Sequence, residues 1–392
     1  MESLQIGTCK EVKGNRTKGF LEVIVDDLKI KIPIFIVSGL KDGPTAFISA
    51  GLHGDEVNGM EIVRGIKESI NPNSLNGRLI ILPVVNTLGF RASTRGSPLD
   101  NGDINRQFNK KNPETASEMI AHVFFEEVVR KCDFGIDCHD SNAENILLPH
   151  SRVLKNKEAP EVAELSRIFG TDLILEREGK PGMLAIEAYK KYKIPVLTVE
   201  VGGGIKIWDK YVDEGIRGVK NVLIYKKMLK GLIDIPIQQF VLDYRYGYKA
   251  PFSGLLDVKV DLGDAVKEDE VIATLYDPET DKEEDIKAEH AGVVFSVRLK
   301  SKIDTGETMF SVLHFKQDKN KVHALNAEMI LNKEVLQSII VRPTKILDTF
   351  LGIFDSHYNM LNTIVSNKIH KISKAKIPNM WPHPRSKRYK EI

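Results

Sequence analysis

The chain has 392 residues, of which 42% are hydrophobic and 28% charged, a balance typical of a soluble globular protein with a sizeable core. This length predicts two or three domains rather than one. The net charge of +2 gives no reason to expect nucleic acid or an anionic membrane as a partner.

The N-terminus and the cysteines bear on the cellular compartment. The first residues show neither the basic region nor the apolar core of a signal peptide, and no run of about 18 apolar residues predicts a membrane span. Cys9, Cys132 and Cys138 form no C-x-x-C pair and no disulfide framework, which favours a reducing compartment. We therefore expect a cytoplasmic protein.

The first 240 residues alternate short apolar runs with stretches of helical spacing. Strands are predicted over 21–25, 31–37, 45–52, 79–85, 134–138 and 196–201, and helices over 57–70, 116–131, 162–169 and 185–193. Strands and helices in alternation favour an α/β layer structure with a largely parallel sheet. We therefore expect an α/β domain over residues 1–240.

Short β segments separated by glycine turns predict a second, all-β domain over residues 241–320. Its sequence repeats with an offset of 38 residues, since Ser253-Gly254-Leu255-Leu256 matches Ala291-Gly292-Val293-Val294. Neither unit can bury a face alone, so the two are expected to pair into one small barrel or sandwich. Lys282 lies between the halves, near the place where biotinyl and lipoyl carriers have a modified lysine. Its acidic neighbours favour an unmodified, charged hairpin tip.

Residues 321–392 are predicted to form a helical extension with a basic tail. Apolar spacing predicts helices over 325–340 and 346–369, and the sequence from Lys368 onward is rich in Lys and Arg. Such a tail could bind an acidic partner. Pro378, Pro382 and Pro384 favour a solvated segment instead.

Residues that suit a metal site follow two of the predicted strands. His53-Gly54-Asp55-Glu56 lies where a strand ends and a helix begins, so an imidazole and a carboxylate can point to one place. His139 directly follows the predicted strand Phe134–Cys138. Open α/β sheets have their functional sites at such strand ends. Catalytic zinc has three protein ligands, and His and Glu are among those it accepts. Each motif alone is also explained by a surface or structural histidine and a helix-N-terminal glutamate. Cys138 points to the opposite face of the strand.

Three further motifs offer groups for amide hydrolysis. Arg95, on a predicted loop, could stabilise an oxyanion. Asn105-Arg106 could bind a substrate carboxylate with bidentate geometry. Glu200 ends an apolar strand before three glycines and could transfer a proton. Taken singly, these residues also fit surface arginines and a carboxylate that caps a strand.

The motifs H-G-D-E, R, D-I-N-R, D-x-H and V-E-V-G, in this order, resemble the succinylglutamate desuccinylase and aspartoacylase family, which is related to zinc carboxypeptidases. The resemblance covers about residues 21–225 and extends to about residue 315, because some members append a small β domain. It implies a zinc-carboxypeptidase-like mixed, mostly parallel sheet flanked by helices, with a barrel-sandwich-like β domain. It also implies one zinc ion per chain on His53, Glu56 and His139, although this ligand set does not exclude other divalent ions.

The resemblance assigns the remaining roles residue by residue. Arg95 polarises the carbonyl, Asn105 and Arg106 hold the amino-acid carboxylate, Glu200 is the general base and acid, and Asp103 fixes the ring of His53. Arg91 is a second candidate for the role of Arg95, because the spacing between this arginine and Asn105-Arg106 varies within the family.

One departure from the family leaves the substrate open. Aspartoacylase-like members have a further arginine shortly before the catalytic Glu, which reads an acidic side chain, whereas residues 182–190 here contain Lys190 and no arginine. We predict a zinc-dependent hydrolase that removes the acyl group from an N-acyl amino acid, with no nucleic-acid or membrane partner. The alternatives are a carboxypeptidase that trims short peptides and an inactive ligand-binding protein on the same fold. Whether the chain forms a homo-oligomer stays open.

Overall fold

A computed structural model describes residues 3–155, 158–204, 206–236, 238–242, 245–314, 323–326 and 339–342 of the chain. The strands of the first part are β1 (Gln5–Ile6), β2 (Cys9–Lys10), β3 (Arg16–Val25), β4 (Leu28–Ser38), β5 (Lys41–Ala50), β6 (Asn76–Leu82), β7 (Phe134–Ser141), β8 (Asn145–Leu154), β9 (Leu173–Arg177), β10 (Val196–Gly203), β11 (Ile233–Pro236) and β12 (Gln238–Leu242). The helices are α1 (Val57–Ser69), α2 (Thr87–Ala92), α3 (Ala116–Glu127), α4 (Pro160–Phe169), α5 (Leu184–Tyr192) and α6 (Asp209–Tyr225). Strand and helix thus alternate as the sequence predicted.

Over residues 245–314 short strands follow one another. The remaining strands are β13 (Tyr246–Lys249), β14 (Gly254–Val258), β15 (Ala265–Val266), β16 (Val271–Asp277), β17 (Lys282–Lys287), β18 (Gly292–Arg298), β19 (Lys302–Ile303), β20 (Thr308–His314), β21 (His323–Asn326) and β22 (Ile339–Arg342). Strands β14, β16, β17 and β19 form a sheet of their own, whereas β13, β15, β18 and β20 belong to a larger one.

The larger sheet is mixed and holds fourteen of the described strands. At its centre β10, β7, β5 and β6 lie side by side and run parallel. The pairing is antiparallel on both flanks of this centre, where β4 pairs with β6, β3 pairs with β4, and β8 pairs with β10. The fold is therefore mixed α/β with a large mixed sheet. The predicted predominance of parallel strands holds only for its centre, because most pairings between the described strands of this sheet are antiparallel. The closer likeness to a carboxypeptidase sheet and the closure of the β domain into a barrel stay predictions.

Helices cover both faces of the central strands, which explains why these strands are apolar throughout. Helices α1, α4 and α6 pack on one face, and α3 and α5 on the other. In β5, Phe47 contacts Phe124 of α3, while the next residue, Ile48, belongs to the opposite cluster. A strand that is buried on both faces needs apolar residues at successive positions. None of the described helices has the length and hydropathy needed to cross a bilayer.

The internal repeat predicted from the sequence is present as two sets of three strands. Strands β14, β15 and β16 form the first set, and β18, β19 and β20 form the second. The sets exchange their middle strands, because β15 pairs with β18 and β19 pairs with β14. Each set needs the other to complete its pairing, as expected of β units that cannot bury a face alone.

Strand β18 joins the repeat to the α/β part, because it also pairs with β8, where Ser296 lies opposite Leu147. Beside this junction Arg298 is only 7% exposed, and its Nη2 lies 3.0 Å from Glu144 and 3.1 Å from Glu307. Glu144 belongs to the turn between β7 and β8. The guanidinium therefore ties that turn to the β repeat.

The predicted helix over 325–340 is wrong at both ends, which lie in β21 and β22. Strand β21 is antiparallel to β12, and β22 is parallel to β11. The β-branched run Ile339-Ile340-Val341 suits a strand once a neighbouring strand offers its edge. The middle of that predicted helix, the predicted helix over 346–369 and the basic tail lie outside the described residues.

We expect Arg298→Ala to lower the free energy of unfolding by roughly 2 kcal/mol, the value of hydrogen bonds to charged groups. The substitution removes a buried cation that bridges two parts of the chain. Lys300→Ala is the matched control, since Lys300 contacts the same Glu144 but its side chain is 54% exposed. It should cost less than about 1 kcal/mol. Urea unfolding followed by circular dichroism measures both, and equal losses would contradict the role given to Arg298.

Candidate metal centre and active site

Three predicted ligands, His53, Glu56 and His139, lie together at the carboxyl ends of two parallel strands. His53 follows β5, Glu56 precedes α1, and His139 lies near the end of β7, which pairs with β5. Nδ1 of His53 is 2.7 Å from Oε1 of Glu56, and Nδ1 of His139 is 2.8 Å from Oε2. One ligand atom from each residue lies within 4.8 Å of the others, and each residue is 3% exposed. The group can hold a metal ion.

The second nitrogen of each imidazole is held by a carboxylate. Nε2 of His53 lies 3.0 Å from Asp103, as the resemblance implied, and Nε2 of His139 lies 2.7 Å from Asp137. Asp137 in turn accepts a hydrogen bond of 2.8 Å from the hydroxyl of Ser49. Such carboxylates fix the ring orientation and tautomer of a metal-binding histidine.

Asp137 is not among the site residues predicted from the sequence, although its position contains a signal. Asp137 lies two residues before His139 on β7, so the two side chains share one face of the strand. The D-x-H spacing was therefore enough to predict this contact. Cys138 lies between them and packs in the apolar cluster on the opposite face, as predicted.

The position of Glu56 depends on a close contact between α1 and β7. A Cβ atom on Gly59 would collide with the carbonyl oxygen of Cys138, so glycine lets the helix lie against the strand. The first turn of α1 is capped from outside, because Asp140 accepts hydrogen bonds of 2.7 and 2.8 Å from the backbone and side chain of Asn58. Glu56, the N-cap residue, makes no side-chain cap hydrogen bond to its own helix. Its carboxylate is thus left for the two histidines.

The electrostatics of this group favour a bound cation. Burial opposes every charge here, but the carboxylates of Glu56 and Asp103 outweigh it and raise the pKa of His53. Asp137 and Glu56 likewise overcome burial and raise the pKa of His139 well above its usual value. Burial alone would raise the pKa of Glu56, but the two imidazoles hold it well below the usual value of a glutamate. Two imidazole nitrogens, each on a ring held by a carboxylate, and the carboxylate of Glu56 together suit a metal ion.

Of the two candidate arginines, Arg95 contacts the carboxylates of this group, and Arg91 is exposed to solvent. Nη1 of Arg95 lies 3.0 Å from Glu56, and Nη2 lies 3.3 Å from Asp103. Burial lowers its pKa, but the charges of the two acids raise it overall, so the guanidinium stays charged. Arg91 is exposed in the last turn of α2.

Asn105 and Arg106 follow Asp103 in a single 3-10 turn beside the histidines. Asn105 is 4% exposed; its Oδ1 accepts a hydrogen bond of 2.9 Å from the backbone N–H of Leu184, which begins α5. Nη1 of Arg106 donates to the carbonyl of Asn105 at 2.6 Å, while 38% of its side chain stays exposed. Asn105 therefore anchors the turn, and Arg106 has donors left for a ligand.

Glu200 lies on β10, directly opposite His139 of the neighbouring β7. It is 6% exposed, and its Oε1 lies 2.8 Å from Nη2 of Arg152 on β8. The glycines after it give β10 an irregular end with shifted register. Gly202, Gly203 and Gly204 all have positive φ, which glycine adopts without steric cost. Arg152 is not among the residues predicted from the sequence, because the antiparallel pairing of β8 with β10 is what brings it to Glu200.

Two lysines named from the sequence lie elsewhere. Lys190 is exposed in the last turn of α5. Lys282 begins β17, where its Nζ contacts Glu284 at 3.1 Å and lies 4.0 Å above the ring of Phe252. Neither is among the recorded contacts of the group around Glu56.

Residues 42–226 match the family model of the succinylglutamate desuccinylase/aspartoacylase catalytic domain. This catalytic segment belongs to that family. The matched segment contains all the site residues named so far, and it confirms the family that the order of motifs indicated.

The chain is also similar to a deacetylase and to two solved structures. The chain is 29% identical to the N-alpha-acetyl-L-2,4-diaminobutyric acid deacetylase of Halomonas elongata over 71% of this chain and 84% of that protein. A product-bound structure of the ectoine utilization protein EutE (DoeB) from Ruegeria pomeroyi is similar, with a TM-score of 0.69 and 25% identity over 76% of this chain and 95% of that one. A succinylglutamate desuccinylase from Silicibacter sp. has the same fold, with a TM-score of 0.71 and 24% identity over 82% and 100% of the two chains.

The contact between Asp137 and His139 predicts the effect of one substitution on metal binding. Asp137→Asn should weaken zinc binding about 10- to 100-fold, because the amide no longer fixes the ring as a carboxylate does. Cys138→Ala is the control, since its side chain lies on the opposite face of β7, and its zinc affinity should equal that of the wild type. Competition with a chromophoric chelator measures all three proteins. An unchanged affinity in Asp137→Asn would show that the carboxylate is not needed.

Proposed function

We propose that the protein is a zinc-dependent amidohydrolase that removes the acyl group from an N-acyl amino acid. The observation that carries the proposal is the position of Glu200, a carboxylate on the strand next to His139, beside three residues that can hold a metal. A metal-binding protein without catalysis has no need of a second carboxylate at this place. The names of the relatives point to the same class of reaction.

The metal ligands in this proposal are His53, Glu56 and His139. A zinc ion bound there would supply Lewis acidity toward the oxygen atoms of water and substrate. The residues of the chain do the remaining work, and Asp103 and Asp137 keep both imidazoles in the tautomer that leaves Nδ1 free for the metal.

Glu200 is the proposed general base and acid. Its carboxylate takes a proton from the attacking water, whose oxygen bonds to the amide carbon, and gives that proton to the nitrogen as the C–N bond breaks. The products are a carboxylate and a free amine. The ion pair with Arg152 orients the Glu200 carboxylate.

Arg95 is the proposed oxyanion donor. Its guanidinium is charged and already fixed by Glu56 and Asp103, so no reorganisation is needed when negative charge develops on the carbonyl oxygen. Arg106 binds the α-carboxylate of the amino acid, since its guanidinium is accessible and Asn105 holds its turn in place.

We expect Glu200→Gln to lower kcat by at least about 100-fold on an N-acyl amino acid while zinc content stays at the wild-type level. The amide keeps the shape of the side chain but cannot accept the proton. Glu127→Gln, which alters an exposed carboxylate on α3, should leave activity unchanged. Release of free amine, measured with a fluorogenic amine reagent, and metal analysis by mass spectrometry provide the readouts. Full activity in Glu200→Gln would refute the mechanism.

The same assay separates the proposal from a carboxypeptidase. A deacylase releases the acyl group from N-acyl amino acids and leaves the C-terminal residue of short peptides in place. A carboxypeptidase releases that residue and is indifferent to the N-acyl group. A protein that binds these compounds and hydrolyses none of them would be the inactive alternative.

The two candidate arginines form a matched pair for the oxyanion role. Arg95→Gln should lower kcat by about 100- to 1,000-fold, the loss typical of one oxyanion donor. Arg91→Gln should leave kcat within about twofold of the wild type, because Arg91 is exposed on α2 and surface substitutions are usually nearly neutral. Steady-state kinetics with one N-acyl amino acid decides between them. Equal effects of the two substitutions would remove Arg95 from the mechanism.

A further inference from the structure

The backbone that follows Glu200 has little conformational restraint of its own. Gly202, Gly203 and Gly204 all have positive φ, and glycine loses more conformational freedom on folding than any other residue. The register of β10 with both neighbouring strands also shifts at this point. The end of β10 therefore needs contacts from elsewhere in the fold to keep one position relative to the metal ligands.

Asn58, in the first turn of α1, supplies such contacts to the loop between β10 and α6. Its Nδ2 donates a hydrogen bond of 3.1 Å to the carbonyl of Lys206, and its Oδ1 accepts one of 2.8 Å from the backbone N–H of Trp208. A carbonyl only accepts and an N–H only donates, so the amide has one orientation that satisfies both. Asn58 is fully buried, and both ends of its side chain fasten the loop to the helix.

Asp140 holds the same amide from the other side. Its Oδ2 accepts hydrogen bonds from Nδ2 of Asn58 at 2.8 Å and from the backbone N–H of Asn58 at 2.7 Å. Asp140 directly follows His139, and Asn58 lies two residues after Glu56. The loop after Glu200 is therefore tied to the helix turn and to the strand end that position two of the proposed metal ligands.

Trp208 connects the two ends of the loop. Its indole N–H donates a hydrogen bond of 2.5 Å to the carbonyl of Gly203, and Nζ of Lys206 lies 4.2 Å from its ring centroid. The ring packs against the apolar cluster that contains the β repeat. Gly203, Lys206 and Trp208 thus contact one another, and Asn58 joins this group to the metal side of the site.

We propose that Asn58 is a positioning residue that sets the place of Glu200 relative to the metal ligands. It acts through the backbone of Lys206 and Trp208 rather than on the reacting atoms. Asparagine suits this place because it donates to two acceptors and accepts from one donor, whereas aspartate of the same size would lose both donated bonds. The inference rests on the proposed function, in which Glu200 exchanges a proton with groups at the metal.

Asn58→Ala removes the three side-chain hydrogen bonds and keeps the backbone bond to Asp140. We expect kcat per bound zinc to fall about tenfold or more, because a displacement of about 1 Å can cost 100-fold in rate. KM should stay within about threefold, since the lost effect concerns the transition state. Zinc affinity, measured by chelator competition, should equal that of the wild type. An unchanged kcat, or a loss explained by weaker zinc binding, would overturn the proposal.

Asn221→Ala is the matched control for the loss of a buried amide. Asn221 is 2% exposed, and its side chain binds the backbone N–H and carbonyl of Asp234 at 2.9 and 2.7 Å. It too fastens a backbone segment to a helix, but it does so in the second half of α6, beside β11. Both variants should lower the midpoint of urea unfolding, and only Asn58→Ala should lower kcat. Equal losses of kcat would overturn the positioning role.

The fluorescence of Trp208 tests the position of the loop without any substrate. The chain has two tryptophans, so Trp381→Phe leaves Trp208 as the single one. In that background, acrylamide should quench Trp208 at least about twofold more strongly in Asn58→Ala than in the parent, because the loop opens locally. Asn221→Ala should match the parent. Equal quenching in all three proteins would overturn the proposal.

Failure of the proposed function has a different signature, which is no hydrolysis of any N-acyl amino acid by the wild type. Stronger quenching in Asn58→Ala then supports the role of Asn58 in holding the loop, and equal quenching overturns it.

If Asn58→Ala does not fold, Trp208→Phe takes its place in the kinetic test. This change removes the bond to Gly203 and keeps an aromatic ring against the β repeat. It should lower kcat per bound zinc at unchanged zinc affinity. An unchanged kcat in Trp208→Phe would show that the loop does not position Glu200.

Discussion

The carboxylate of Glu56, buried between two imidazoles, is the contact on which the rest of the site depends. A buried carboxylate is tolerated only when its oxygens are paired, and each oxygen of Glu56 meets one Nδ1 atom. This pairing requires the end of β5, the start of α1 and the end of β7 to meet at one point. Gly59 makes the approach of α1 to β7 feasible, and Asp140 takes over the capping of α1. A local arrangement of helix and strand thus produces a cluster whose charges suit a metal ion.

Strand register then extends the site across the sheet. His139, Glu200 and His150 lie opposite one another on β7, β10 and β8, and side chains at alternate positions share a face. Asp137, Thr198 and Arg152 form the next row in the same way. The proposed functions of binding metal and moving a proton therefore lie on adjacent strands. A shift of one residue in any of these pairings would turn its side chains to the opposite face.

The sequence predicted the parts of the site that short-range patterns encode. H-x-x-E at a strand–helix junction and a histidine at a strand end identified His53, Glu56 and His139, and the motif order identified the family. Arg152 could not be found in this way, because an antiparallel strand, β8, lies beside the parallel strand β10. Nothing in the local sequence of β8 states which strand it joins. The same holds for β21 and β22, whose apolar spacing resembled a helix until pairing with β12 and β11 decided their form.

The β-rich part of the chain is joined to this sheet by hydrogen bonds between strands. Strand β18 continues the hydrogen bonding beyond β8 and brings Phe295 against both His150 and Arg245, at 5.1 and 5.2 Å. Arg298, at the end of β18, forms an ion pair with Glu144 in the turn that follows β7. A change in the packing of the β repeat therefore reaches both the turn that follows β7 and the surroundings of His150, which lies opposite Glu200.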